Sequence, residues 1–347
     1  MFILYLIILF LLLLGMNVHR RGIYEGYISK EQCNCIKGFF IVIVFCRHIW
    51  PYLAKVGYDF TRFGDEIFRM IDANMGQLLV VMFLFYSGYG VMEQIKRRGK
   101  VYASEIPIKR LLPTIANFDV AILLFLAVDI LFCHDYTMQD VLLAFTGWTS
   151  IGNSNWYIFV ILCCYISTYL TYFLFQRKII SGLQFGGGNL LIIMLVHTML
   201  VYTKQLYWYD TIYVYPLGVF YSLYKPEIER ILMKQYRTSL GLILVFFVLF
   251  SNLQLNLKGM VANMRAICFA LLIVLLSMKV QINSKTLEWL GKRLFPLYIY
   301  QRIGMIVLSE VGGEKNIEDY PYGYMFSCAM ITLFFGWAYK FIQIKIK

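Results

Sequence analysis

The sequence predicts an all-α, polytopic transmembrane bundle of about ten core helices plus one N-terminal helix. Three observations predict it. Of 347 residues, 60% are hydrophobic and only 15% are charged. The apolar residues gather in runs long enough to cross a bilayer, and the basic residues collect in alternate loops between those runs. A water-soluble domain of this size has too little interior to hide so much apolar surface.

The runs give eleven spans, near residues 2–16, 37–54, 76–95, 114–133, 155–175, 188–204, 211–224, 238–254, 261–278, 291–310 and 324–342. The first lacks a basic flank and a small-residue cleavage site, so it reads as a retained helix rather than a removed signal peptide, although at about 15 residues it is short for a span. One set of loops and ends holds 23 of the 32 basic residues; the other holds six, Lys55, Arg62, Arg69, Lys204, Lys258 and Lys315. This asymmetry assigns the basic set, which includes Arg177, Lys178 and Lys347, to the cytoplasm, with the N-terminus outside and the C-terminus cytoplasmic. The net charge of +12 is therefore a topology signal and does not call for a nucleic-acid partner.

The eight cysteines, among them Cys33, Cys35, Cys163 and Cys164, lie mostly in or beside apolar runs without the paired spacing of a zinc site, and read as reduced packing residues. No metal is expected. The phosphate-cradling Gly-x4-Gly-Lys-Ser/Thr, HExxH and Gly-x-Ser-x-Gly motifs are absent from the sequence. Gly186-Gly-Gly188 reads as a flexible turn before a span.

The chemistry concentrates in the second span, Ile36-Lys-Gly-Phe-Phe-Ile-Val-Ile-Val-Phe-Cys-Arg-His48. Eleven steps of about 100° return His48 to within about 20° of Lys37 and about 16 Å deeper, so both face one way. Burial favours the neutral imidazole, which suits a general base that takes a proton from a hydroxyl. A buried histidine hydrogen-bonded to a neighbouring helix would explain the same residue structurally. Arg47, about 100° around the helix, needs an anion, carbonyl or water, and could orient a substrate. His197 is more often the mark of packing, with substrate contact as the alternative.

Lys96-Arg97-Arg98-Gly-Lys100, followed by Lys109-Arg110-Leu-Leu-Pro113, is the densest basic segment. It is a topology determinant first; arginine forks and lysines at a membrane face also bind phosphates, so an anionic cytoplasmic cofactor is a second role. Arg265 and Arg302 lie in the outer halves of late spans, where each needs a polar partner or substrate. Trp148, Trp156, Tyr157, Tyr207, Trp208 and Tyr209 form an interfacial belt, with sugar stacking as a second role for one or two, Trp156 included.

With these residues in place, the chain resembles the membrane acyltransferase 3 family, which includes bacterial polysaccharide O-acetyltransferases. The resemblance rests on ordered segments: Lys37 to His48, Met82-Phe-Leu-Phe-Tyr-Ser-Gly-Tyr-Gly90, Arg110-Leu-Leu-Pro113, Asn155-Trp-Tyr-Ile-Phe159, Tyr215-Pro-Leu-Gly218 and Trp289-Leu-Gly-Lys-Arg-Leu-Phe-Pro-Leu-Tyr298. Three positions depart from the family pattern. Lysine stands where arginine is usual at position 37, only Arg110 remains of a paired arginine, and Gln301 replaces a frequent histidine.

The resemblance implies a domain division into residues 1–34, an N-terminal helix and cytoplasmic loop, and 35–347, a membrane acyltransferase domain. It implies an O-acyltransferase of the bacterial plasma membrane, acetyl-CoA supplying the acyl group from the cytoplasm and a hydroxyl of a surface or exported glycan, or its lipid-linked precursor, receiving it. His48 would then be the catalytic base, Lys37 the cation at the helix mouth, Arg97, Arg98, Lys109 and Arg110 the CoA-phosphate residues, and Arg47, Trp156, His197, Arg265 and Arg302 the substrate contacts. A secondary transporter or flippase for a glycan or lipid precursor is the competing reading, with Arg47, His48, Arg265 and Arg302 along a path; the paired broken helices of such transporters are not detectable. A structural subunit of a glycan-assembly complex is the third.

Overall fold

The computed structural model describes residues 2–59, 64–175, 182–253 and 259–345. Arg62, Arg177, Lys178, Lys258 and Lys347 of the charge asymmetry, and Gln254 at the end of the eighth expected span, lie outside the described residues. The chain is a polytopic helical bundle with one small sheet.

Helix α1 (Phe2–Leu14) leads into strand β1 (Met16–Val18). Helix α2 (Lys30–Lys55) starts before its apolar run because Ser29 caps it, its side chain accepting from the Gln32 backbone N–H at 3.2 Å. Glu31 adds a negative charge in the first turn, where the helix dipole favours one. Helix α3 (Asp65–Met75) passes through a tight 3-10 turn (Gly76–Val80) into α4 (Val81–Arg98).

Helices α5 (Lys100–Ile106) and α6 (Leu112–Leu131) are joined by a wide π turn, Pro107–Leu111. Pro107 brings no N–H to the helical ladder, and the turn widens there. The short α7 (Met138–Ala144) is capped by Thr137 and precedes α8 (Trp156–Phe175). Next come α9 (Gly182–Thr203), a 3-10 turn (Leu206–Trp208), α10 (Val214–Leu223) and α11 (Lys225–Leu253). Helix α12 (Met260–Ser277), strand β2 (Val280–Ile282), α13 (Lys285–Lys292), α14 (Leu294–Asp319) and α15 (Pro321–Ile342) complete the chain.

Each of the eleven expected runs coincides with a helix. Eight helical stretches among the described residues are long and apolar enough to cross a membrane. Of the other three runs, α1 has 13 residues and α10 has 10. Helix α14 breaks at Gly313 (φ 68°, ψ 171°), which separates its apolar beginning from a polar end. One expectation is corrected: Gly186-Gly-Gly188 lies inside α9, not in a turn before it. A Cβ at Gly186 would come within 2.5 Å of the Phe220 ring on α10, so the glycine is there for close helix packing.

Buried residues fill α2, α4, α8, α10, α12 and α14, whereas α11 buries none and exposes Leu242, Val245 and Phe246. An apolar exterior of this kind suits hydrocarbon as solvent. Strand β1 pairs antiparallel with β2, Asn17 opposite Gln281, and the Gln32 side chain braces β2 by donating to the Val280 carbonyl at 2.9 Å and accepting from the Ile282 N–H at 2.9 Å. The N-terminal segment is thereby tied to the start of α2.

Two helix crossings set the frame. A Cβ at Gly38 of α2 would lie 1.9 Å from the Leu287 carbonyl oxygen of α13, and one at Gly291 would lie 1.9 Å from the Asn34 carbonyl oxygen. At the other crossing, Gly88 of α4 and Gly218 of α10 each bring a hypothetical Cβ to 2.2 Å from a facing carbonyl oxygen, of Tyr215 and Phe85 respectively. Only glycine lets these backbones touch. Gly38→Ala and Gly218→Ala should therefore each cost about 1–3 kcal/mol, the usual range for overpacking, seen as a lowered thermal midpoint in detergent. Gly187→Ala, with open space around it, should stay within about 0.5 kcal/mol; a Gly38→Ala protein as stable as the parent would contradict the crossing.

Candidate active site

Helices α2 and α4 run antiparallel, and a cavity opens at each end of the pair. The first, about 310 Å³, is lined by Lys30 and Lys37 from α2, by Phe83, Tyr86, Ser87, Gly90, Val91 and Gln94 from α4, and by Arg110, Tyr165 and Leu294. Three cations and no carboxylate form its wall. Arg110 belongs to the π turn, and its Nε donates to the Tyr102 hydroxyl at 3.1 Å. Its guanidinium is close enough to Lys37 for the two charges to repel, an arrangement suited to an anion between them.

The other basic residues expected at a phosphate site are placed differently. Arg98 and Lys109 are both bound to Glu105, at 2.9 and 3.0 Å, and neither they nor Arg97 line this cavity. Lys30, which the sequence reading did not single out, does. Its signal was present in the spacing: Lys30 and Lys37 are two helical turns apart and share a face.

At the opposite end His48 borders two openings. One, about 390 Å³, is shared with Arg47, Trp50, Pro51 and Arg302. A smaller one, about 50 Å³, is lined by Val44, Arg47, Gly76, Gln77, Leu79, Val80, Trp156 and Tyr298. The Nδ1 atom of His48 is enclosed and has no hydrogen-bond partner among the described residues. Gln301, fully buried, lies beside the imidazole; its Nε2 donates to the Tyr298 carbonyl at 3.0 Å, and its Oε1 has no hydrogen-bond partner among the described residues. The position where the family often has histidine thus faces His48 with a carboxamide, which can hold the ring but not exchange a proton at neutral pH. Pro51, inside α2, cannot donate the helical hydrogen bond to the Arg47 carbonyl.

A third cavity, about 360 Å³, adjoins the small one through Arg47, Gly76 and Gln77, and continues to Gln205, Tyr207, Asp210, Thr211 and Arg265. Burial pushes the Asp210 carboxyl up to about 7, against the opposing pull of the Arg265 charge. Arg265 itself donates from Nε to Ser251 Oγ at 3.1 Å and from a terminal nitrogen to the Asn74 carbonyl.

Aromatic rings stand between the cation-lined cavity and His48. Phe83 packs edge-on against Tyr157 (6.1 Å), Tyr157 against Tyr298 (5.4 Å), and Tyr298 lies 6.2 Å from the His48 ring. Ser87, from the Ser-Gly-Tyr segment, is within hydrogen-bonding reach of the Tyr157 and Tyr165 hydroxyls. Four helices reach both ends: α2 with Lys37 and His48, the α3–α4 run with Gln94 and Gln77, α8 with Tyr165 and Trp156, and α14 with Leu294 and Arg302.

Of the sequence-derived residues, the structure brings Lys37 and Arg110 to one end and His48, Arg47, Arg302, Trp156 and Arg265 to the other. His197 stands apart, packed against Tyr209 (5.2 Å) and Tyr213 (5.1 Å) and lining none of these cavities. The reading missed Gln77, Asp210 and Thr211, which sit in or beside connecting turns where no hydropathy period marks them.

A family model described as Acyltransferase domain matches residues 31–340. No curated protein and no solved structure matches the chain. The matched segment opens at the second residue of α2 and closes in α15, so it contains every residue named along these cavities except Lys30. Because the Glu105 pairs are partly exposed, Arg98→Ala and Lys109→Ala should each change stability by no more than about 1 kcal/mol and leave anion binding in the cation-lined cavity within twofold. Arg110→Ala should weaken that binding about tenfold or more; equal effects of the three substitutions on anion affinity would remove Arg110 from its special place.

Proposed function

As the chain belongs to the acyltransferase 3 family of membrane acyltransferases, we propose that it moves an acyl group, acetyl foremost, from cytoplasmic acyl-CoA to a hydroxyl of a surface or exported glycan or its lipid-linked precursor, in the bacterial plasma membrane. The observation that carries this reading is the pairing on shared helices of a cation-lined cavity with a polar one that contains an imidazole with a free nitrogen. In the orientation that the basic loops favour, the Lys37 and Arg110 end faces the cytoplasm and the His48 end lies toward the outside.

Lys30, Lys37 and Arg110 meet the phosphates of acyl-CoA, lysines as point charges and arginine as a fork. The pantetheine arm, long and thin, carries the thioester past Phe83, Tyr157 and Tyr298 toward His48. There the His48 nitrogen takes the proton of the acceptor hydroxyl while its oxygen attacks the thioester carbonyl. The carbon–sulfur bond breaks, and the proton passes to the departing CoA thiolate. The products are one O-acyl ester and one free thiol. Arg302 and Arg47 flank the reacting centre and stabilise the negative charge that grows on the carbonyl oxygen.

General-base catalysis is worth about 10²–10⁴-fold, so His48→Ala should lower acyl transfer by at least about 100-fold with the thermal midpoint of the purified protein unchanged. Transfer of label from [14C]acetyl-CoA to glycan in membranes tests this, and an active His48→Ala enzyme would remove the residue from catalysis. Arg110→Ala should raise KM for acetyl-CoA about 10-fold or more at similar kcat; an unchanged KM would place the donor elsewhere.

A further inference from the structure

The third cavity has no counterpart in the donor chemistry. Its wall offers a carboxylate, two carboxamides, a hydroxyl, a phenol and guanidinium groups, and so includes the carboxylate that the wall around Lys37 lacks. Two of its polar atoms are orphans. Asp210 is 8% exposed and Thr211 2%, and neither Asp210 Oδ1 nor Thr211 Oγ1 has a hydrogen-bond partner among the described residues. Buried oxygens without partners are costly, and they persist where a ligand satisfies them.

The backbone holds both in place. The Asp210 N–H donates to the Leu206 carbonyl at 3.1 Å across the 3-10 turn, and the Thr211 carbonyl accepts from the Val214 N–H at 3.1 Å at the start of α10. Beside them Tyr207 packs against Trp156 at 6.2 Å, and Trp156 borders the His48 opening. Arg265 is anchored on Ser251 and Asn74, with its charge facing Asp210. Asp210 Oδ1 and Thr211 Oγ1 are acceptors in need of a hydroxyl donor, which a polyol carries and a fully ionised phosphate does not. The volume, about 360 Å³, is at the small end of the ~300–1,000 Å³ range of ligand pockets and accommodates a sugar ring rather than a polymer chain.

We propose that this cavity is the acceptor site, holding a neutral sugar ring through Asp210, Thr211 and Gln77 so that a neighbouring hydroxyl reaches His48 past Arg47. The proposal rests on the acyltransferase reading. Asp210 accepts from one ring hydroxyl and Thr211 Oγ1 exchanges a hydrogen bond with another, while the Trp156–Tyr207 pair offers an aromatic wall to the carbon face.

The test uses inverted membrane vesicles from the host strain lacking its own copy and expressing the full chain, with [14C]acetyl-CoA as donor and the vesicles' own glycan as acceptor. Asp210→Asn and Thr211→Val should lower the rate of glycan labelling about 10–100-fold, with KM for acetyl-CoA and the thermal midpoint as in the parent. Gln205→Cys, at the exposed rim of the cavity, provides a variant outside the proposed sugar contacts. Its modification by a charged methanethiosulfonate, applied from the outer face before the membranes are inverted, should block labelling, and a membrane-permeant thiol should restore it, while the parent protein, whose exposed Cys133 reacts too, keeps its activity. Full labelling by Asp210→Asn and Thr211→Val, or by the fully modified cysteine variant, would overturn the acceptor site and leave the acyltransferase reading standing. Parent vesicles that label glycan no more than the deletion strain would overturn that reading itself.

Discussion

Eleven residues of α2 separate Lys37 from His48, about 16 Å of helical rise, and the rest of the structure keeps that interval fixed across an apolar interior. A cation and an imidazole on one face of a membrane helix need polar company, since hydrocarbon provides none. The company arrives from elements that run alongside: α4 and the turn before it present Gln94 at the Lys37 end and Gln77 at the His48 end, α8 presents Tyr165 and Trp156, and α14 adds Tyr298 and Arg302 at the His48 end. The glycine crossing of α2 with α13 and that of α4 with α10 bring the two central helices into close backbone contact with their neighbours. A fixed frame of this sort suits the proposed reaction, which has to align two substrates.

The aromatic rings between the ends add a second constraint. Phe83, Tyr157 and Tyr298, all buried, pack against one another between the two ends. In the proposed reaction this separates a charged donor headgroup, which stays at the Lys37 end, from the acceptor, which stays beyond His48. Only the acyl group changes sides. A buried imidazole suits that arrangement, because the neutral ring keeps a nitrogen open for the acceptor proton.

Much of the architecture was legible in the residues. Each of the eleven apolar runs coincides with a helix, because a span must satisfy its own backbone and therefore writes a long apolar run into the sequence, and eight helical stretches among the described residues are long and apolar enough to cross a membrane. The Lys37–His48 geometry followed from helical periodicity alone, and Arg47, Arg265 and Arg302 stood out because charge is rare in such runs. What stayed hidden was pairing. Nothing in the spacing of Lys96 to Arg110 shows that Glu105 occupies Arg98 and Lys109 while the turn at Pro107 sends Arg110 to the cavity. Asp210, Thr211 and Gln77 were invisible for a related reason: they sit in or near connecting turns, where polar residues are ordinary and only three-dimensional burial makes them unusual. Gly186 read as a turn because glycine in a polar-looking stretch has two meanings, and the Phe220 ring decides between them.

In the proposed reaction the donor enters at the Lys37 and Arg110 end and the acyl group leaves at the His48 end. Sealed vesicles of the two orientations test it directly, with acetyl-CoA supplied only to the outer solution and acyl label followed into glycan. Inverted vesicles, which expose the cytoplasmic face, should label their glycan, and right-side-out vesicles should not until they are made permeable. Labelling by intact right-side-out vesicles alone would contradict the account.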